Sequence, residues 1–396
     1  MNDQPTLDRR LNLPLLTIFG LGTMVGAGIY VLVGEILAVS GSFAPWAFLL
    51  AAVVAGFTAL SYGELASHYP RSAGEAVYVE QAFARPLLTQ VTGWAVVATG
   101  LVSSGTLANG FAGYLSFFYP GAEGIGATGF ILLLGVIAAW GIGHTVWFAA
   151  AITATSIFGL LAVLAMSGRY LANFPEVWPT MVPTSGAWLA ISLGAFVAFY
   201  AFVGFEDMVN VAEETREPER IMPIAIILAL LGAATLYLLV ATVAVLANAE
   251  LNLAGHSAPL AAMVAHTGDR WPAAIAVMSM LSVTNSALAQ IVMVSRVVYG
   301  MAKAGNAPEV LATVHPKRQT PIISTILTVL VITLLATWFP LLTLAKATSF
   351  VILVVFTLIN LSLIRLKLQG RIRRSGVWKP VIGALLSVAL VVMSLL

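Results

Sequence analysis

The sequence of 396 residues contains no cysteine, which excludes a disulfide framework and any thiolate chemistry. Charge is nearly as scarce. Only 9% of residues are charged, against about 25% in an ordinary soluble domain, so a soluble fold could not cover itself. The five histidines, His68, His144, His256, His266 and His315, are scattered, and no pair has a metal-ligand spacing such as HExxH. No metal site is therefore expected. There is no Walker loop, no Ser–His–Asp set and no redox dyad, so neither an enzyme nor a bound cofactor is expected. The net charge of +2 is small and dispersed, which argues against a nucleic-acid partner. A cleavable leader is not expected either. Arg9 and Arg10 precede an apolar run far longer than a signal h-region, with no small-residue cleavage site nearby.

What is abundant is apolar surface: 60% of residues are hydrophobic, and the mean hydropathy is +0.96. The repeating unit is then the membrane-spanning helix, which needs about 20 mainly apolar residues. Eleven such segments are read at 14–38, 44–67, 87–118, 127–144, 147–167, 187–212, 221–248, 271–302, 321–339, 341–364 and 378–396. They must be helical, because hydrocarbon offers no partner to open backbone groups. A β-barrel would show short alternating strands instead. The expected fold class is an all-α integral membrane protein forming one domain over 1–396, with the lipid bilayer as its environment.

Orientation follows from Lys and Arg in the loops. With the N-terminus in the cytoplasm, Arg9, Arg10, Arg71, Arg85, Arg216, Arg220, Lys303, Lys317, Arg318, Arg365, Lys367, Arg371, Arg373, Arg374 and Lys379 collect on the inner side. Arg169 and Arg270 fall outside. A multi-pass protein of the cytoplasmic membrane with its N-terminus inside is expected.

Two spans are unusual. The first contains Gly20, Gly22, Gly26 and Gly28 within nine residues, each costing a regular helix about 1 kcal/mol relative to alanine. Close helix packing would explain them. So would a break that frees backbone N–H groups for an anionic ligand. The sixth span runs Phe199-Tyr200-Ala201-Phe202-Val203-Gly204-Phe205-Glu206-Asp207, placing glycine beside two acids inside an apolar run. If the helix is straight, Glu206 reaches the inner edge and is cheaply solvated. If it breaks near Gly204, the acids cap its second half near the membrane centre. Interruptions in spans one and six are the placement expected of a five-helix unit repeated with inverted topology. The repeats would occupy about 14–170 and 187–365, with 378–396 peripheral.

Other polar residues have simpler readings. Glu35, Glu64 and Lys346 lie near span ends, where an interface satisfies them. Thr284, Asn285, Ser286 and Gln290 polarise span eight, for hydrogen bonding between helices or for ion coordination.

Four blocks resemble the amino acid–polyamine–organocation superfamily, specifically bacterial amino acid permeases. They are Gly22 to Tyr30; Ser61 to Ala66 with Tyr69 to Tyr78; Phe199 to Glu206 with Glu213-Glu214-Thr215 and Pro218-Glu219-Arg220; and Ser295-Arg296 through Tyr299 to Ala302, then Gly305 and Pro308. The resemblance implies a LeuT-type 5+5 inverted repeat with broken helices one and six, alternating access, and an α-amino acid, a small molecule, as cargo. It implies that the substrate carboxylate meets the amides of Gly26, Ala27 and Gly28. The ammonium would meet carbonyls of Thr23, Met24, Phe202 and Val203 around Gly204 and Glu206, with Tyr200 covering the substrate. The family usually has one helix more than the eleven counted here. Some members carry a lysine in helix five in place of sodium. Span five here has none, so either a proton or sodium remains open as coupling ion. Ala27 stands where related transporters often carry serine. The expected function is a secondary carrier of neutral, apolar L-amino acids; a polyamine or cationic amino acid carrier is the alternative, and a channel or receptor the rival from another class.

Overall fold

The computed structural model describes residues 9, 11–26, 28–71, 74–140, 146–303, 305, 307–315, 318, 320–373 and 376–395, with the side chains of 146–149 excepted. Ala27 lies outside the described residues, as do Arg10, Lys317 and Arg374. Fifteen α-helices are described: α1 Leu13–Val25, α2 Gly28–Ser40, α3 Ala44–His68, α4 Gly74–Phe83, α5 Pro86–Leu115, α6 Glu123–Trp140, α7 Val146–Met166, α8 Phe174–Met181, α9 Ala187–Ala198, α10 Pro218–Leu251, α11 Pro259–Met263, α12 Arg270–Lys303, α13 Ile322–Trp338, α14 Leu341–Leu368 and α15 Trp378–Met393. No strand is present among the described residues; one isolated bridge joins Leu11 to Thr215.

Eight helical runs are long and apolar enough to cross a bilayer among the described residues. One of them, Gly28–His68, runs through α2, a single 3-10 turn and α3. Three shorter apolar helices, α1, α13 and α15, accompany them. The outward faces are apolar: Leu132, Leu133, Ile326, Leu330 and Leu385 are all exposed, which only a lipid environment makes inexpensive.

Local chemistry sets the helix ends. Asn12 caps α1, its side chain accepting from the Leu15 amide at 3.1 Å. Proline occupies the first turn of α3, α5 and α10, where its missing N–H is not needed. Asn252 closes α10 in the left-handed region at φ 49. The acidic stretch after span six is shorter as a loop than its composition predicts. A 3-10 segment runs through Glu206–Glu214, and α10 begins at Pro218.

Inside, α10 lies along α1 and α3, α5 along α12 and α14, and α9 against α2 and α3. Two polar rungs tie α3 to α14. Asn360 donates to Thr58 Oγ1 at 3.0 Å and accepts from Ser61 Oγ at 2.6 Å. Two turns further, Lys367 donates to Glu64 at 2.5 Å. This changes the reading of Glu64: its partner is a lysine only 1% exposed, not the membrane interface.

Candidate functional site

Both glycine-bearing spans are interrupted. The first stops at Val25 and resumes as α2 at Gly28. In the sixth, α9 tightens into a 3-10 turn at Phe199–Phe202, Val203 becomes extended (ψ 129), and the 3-10 segment from Glu206 follows. Between them Gly204 has φ +128, a conformation that side chains rarely tolerate.

The two interruptions touch. Thr23 Oγ1 donates to the Gly204 carbonyl at 2.9 Å. A Cβ at Gly204 would stand 2.8 Å from the Thr23 carbonyl carbon, and one at Gly28 would overlap Ala201. The glycines thus serve both readings that composition left open: they let backbones approach, and they stand where the helices break. Helix ends leave amides and carbonyls without intrahelical partners; at the second break Gly204 has both of its groups paired, the amide with Glu206 and the carbonyl with Thr23. Glu206 opens the second half-span without capping it, since its carboxylate bonds back to the break. Its Oε2 accepts from the Gly204 amide at 2.8 Å, and it is 5% exposed.

The breaks border a cavity of about 1580 Å³. Its deep wall includes Gly22, Thr23, Ser103, Leu107, Tyr200, Val203, Asn285 and Ser286, and its mouth includes Arg85, Arg296, Arg318 and Arg371. It therefore opens toward the arginine-rich end. Of the residues expected to hold a ligand, Thr23, Tyr200 and Val203 line the cavity. Met24, Gly26, Gly28, Phe202, Gly204 and Glu206 lie in or beside the two breaks, outside its lining. Phe202 turns away, its ring 5.2 Å from that of Tyr237. Ala27 is outside the described residues.

Tyr200 does not hang free. Its hydroxyl lies 3.0 Å from Ser103 Oγ and donates to the Ser103 carbonyl at 3.2 Å. Ser103 is a residue that sequence reading passed over, since one serine in an apolar helix carries no signal. The polar residues of α12 divide. Thr284 bonds back to Met280 at 2.6 Å. Gln290 reaches Asp207 at 3.4 Å across helices. Asn285 Oδ1, Ser286 Oγ and Gln290 Oε1 are buried without a hydrogen-bond partner, a state that native interiors seldom leave unfilled. A side chain at Gly26 would meet that Ser286 hydroxyl. No group of three His, Cys, Asp or Glu residues suited to a metal ion occurs among the described residues.

Four carboxylates also line the cavity, Glu75, Glu80, Asp207 and Glu214, of which Glu75 is buried and Glu80 exposed. Glu75 belongs to α4, which lies outside the helices able to cross a bilayer. It is 4% exposed and takes a hydrogen bond from Tyr62 at 3.4 Å. Burial pushes its carboxyl up to about 7; the Asp207 charge adds to this, and hydrogen bonds from its own amide and Tyr62 oppose it.

Broken apolar spans meeting at a polar cavity define a multi-pass membrane protein. The family model described as "Amino acid permease" matches residues 11–396; this chain belongs to the amino acid permease family. It is 27% identical over 385 residues to the vacuolar cationic amino acid transporter 2 of Arabidopsis thaliana, covering 91% of this chain and 60% of that protein. It is 27% identical over 386 residues to the branched-chain amino acid permease BcaP of Bacillus subtilis, with 92% and 82% covered. The cationic amino acid transporter 4 of Homo sapiens is 29% identical over 392 residues, with 92% and 61% covered. The chain thus spans about three fifths of the length of these two cationic transporters.

Proposed function

We propose that this protein is a secondary amino acid transporter of the cell membrane working by alternating access. One observation carries the reading: both interrupted spans border one cavity, the first through Gly22 and Thr23 and the sixth through Tyr200 and Val203, and they touch through Thr23 and Gly204. An amino acid has two charged ends. The amides that begin α2 attract its carboxylate, and the carbonyls ending α1 and the first half of span six attract its ammonium. In this reading Thr23, Met24, Gly26, Ala27, Gly28, Phe202, Val203 and Gly204 supply backbone groups, with Glu206 holding the second break in shape. Tyr200, tied to Ser103, closes the site on the side away from the mouth.

The two breaks support a LeuT-type 5+5 inverted repeat, with repeat one at about 14–170, repeat two at about 187–365 and α15 peripheral. The cavity opens toward Arg85, Arg296, Arg318 and Arg371. Under the positive-inside rule that end faces the cytoplasm, so the N-terminus is inside and this is the inward-open state.

The cargo is a neutral, apolar amino acid. Around Thr23, Ser103, Leu107, Tyr200 and Val203 the deep wall offers hydroxyls and hydrocarbon but no charge. A cationic cargo is the second reading, favoured by Asp207 and Glu75 lower in the cavity. Thermal stabilisation of purified protein by leucine, against putrescine and arginine, separates the two. A ligand raises stability according to its concentration relative to its affinity. Stabilisation by leucine together with saturable leucine exchange in proteoliposomes is expected. Stabilisation by putrescine or arginine alone would reject the neutral cargo, and flux without saturation would make the protein a channel.

A further inference from the structure

Glu75 is conspicuous because no cation pairs with it among the described residues. A carboxylate removed from water costs several kcal/mol unless a cation or strong donors replace the solvent. Here the donors are its own amide and the hydroxyl of Tyr62 at a long 3.4 Å. No Lys or Arg forms an ion pair with it among the described residues. The neighbouring cations are engaged elsewhere. Lys367 of α14 meets Glu64, Arg365 stands 4.9 Å over the Phe83 ring, and Arg371 donates to the Gln81 carbonyl. Arg85, before α5, is exposed at the cavity mouth. Glu80, on the same helix as Glu75, is also exposed. What lies in electrostatic reach of Glu75 is acidic or phenolic: Asp207 from the second half-span, Glu206 beside it, Tyr62 from α3 and Tyr78 one turn along α4. The Tyr78 hydroxyl is fully buried and has no hydrogen-bond partner.

We propose that Glu75, in the cytoplasmic cavity opposite Asp207, is the proton-binding site that couples this carrier to a proton gradient when it moves a neutral amino acid. This rests on the carrier reading above. Glu75 takes one proton from solution through the open mouth, forming a neutral carboxylic acid, and releases the same proton after the protein reopens on the other side. Coupling follows from position. Glu75 sits on α4 and Asp207 on the second half of span six, so two ionised carboxylates push these elements apart. Protonation of Glu75 removes the repulsion and lets them close. A group titrating near 7 suits this, because it changes state within the physiological range.

The prediction is measured on full-length protein in two ways. First, the unfolding midpoint is followed from pH 5 to 8.5. A carboxyl raised in the folded state binds its proton more tightly there than in the unfolded chain. The stability it contributes is therefore complete at low pH and is lost as pH rises toward 7. Wild type should show this fall in midpoint, and Glu75→Gln, which mimics the protonated form, should show most of it removed. An unchanged profile in Glu75→Gln overturns the assignment. Second, leucine is added to proteoliposomes holding a pH-sensitive dye. Wild type should acidify the lumen. Glu75→Gln should lose at least tenfold of that proton flux while keeping leucine–leucine exchange within about twofold, and Glu75→Asp should restore part of it. Proton flux persisting in Glu75→Gln, or wild-type leucine entry without protons, defeats the coupling role. Absence of exchange with every amino acid would instead sink the carrier reading, and the midpoint titration would still decide whether Glu75 holds the proton.

Discussion

The two sides of the broken spans are built differently. On the α2 side, aromatic hydroxyls fasten backbone to backbone. Tyr30 donates to the Ser156 carbonyl, Tyr114 to the Tyr30 carbonyl at 2.7 Å, and Tyr237 to the Ala201 carbonyl at 3.0 Å. Ser156 and Ser282 meet at 2.6 Å, and the three tyrosines are fully buried. On the α1 side a cavity of about 1580 Å³ remains, with buried polar atoms of Asn285, Ser286 and Gln290 left without partners. A satisfied polar network rigidifies, whereas an unsatisfied one awaits something to bind. In the proposed carrier, the first side would be the closed gate and the second the open path.

The contrast can be broken most severely at the hinge between the two sides. Gly204→Ala places a Cβ at φ +128 against the Thr23 backbone. It should cost about 2–4 kcal/mol through strain and overpacking and abolish exchange. A thermally unshifted Gly204→Ala protein would show that the touching breaks do not hold the fold. On the open side, Glu64→Gln removes the carboxylate that faces the buried Lys367. Because Glu64 is 30% exposed, the loss should be about 1–3 kcal/mol, below that of a fully buried pair. The double variant with Lys367→Met should recover much of it, and a double-mutant cycle in chemical denaturant measures this. The smallest effect falls on the closed side. Tyr30→Phe deletes one hydrogen bond, about 0.5–1.5 kcal/mol, and should raise access from the α2 side without altering access from the mouth. The cysteine-free chain allows this to be read directly. Val203→Cys should react with a membrane-impermeant maleimide from the mouth side, and from the α2 side only faster once Tyr30→Phe is added. Equal labelling from both sides in the unaltered gate would dissolve the distinction between the two halves.

Much of this architecture was legible in the residue order. Runs of about 20 apolar residues have one outcome in a bilayer, and the described helices follow them closely. That α1 ends at Val25 and that the sixth span breaks at Gly204 was readable because glycine weakens a helix wherever it clusters. Several features were not readable. The helical segment α8, after span five, looked like connecting loop because its prolines and mixed polarity hide a short helix. Glu64 looked interfacial because its lysine lies 303 residues away in sequence. Glu75 looked like part of a family motif, since nothing in Gly74-Glu75-Ala76 announces burial.

The sequence by itself determined that this chain is a bundle of membrane helices, where two of them yield, and which end carries the positive charge. These follow from properties each segment has alone: its hydrocarbon content, its glycines, its arginines. Only the tertiary structure decided that the two weak points touch, that Tyr200 answers to Ser103, and that Glu75 and Asp207 line one cavity, with no ion pair to Glu75 among the described residues. Those facts depend on distances between segments remote in the chain. Packing sets such distances, and no local pattern encodes them.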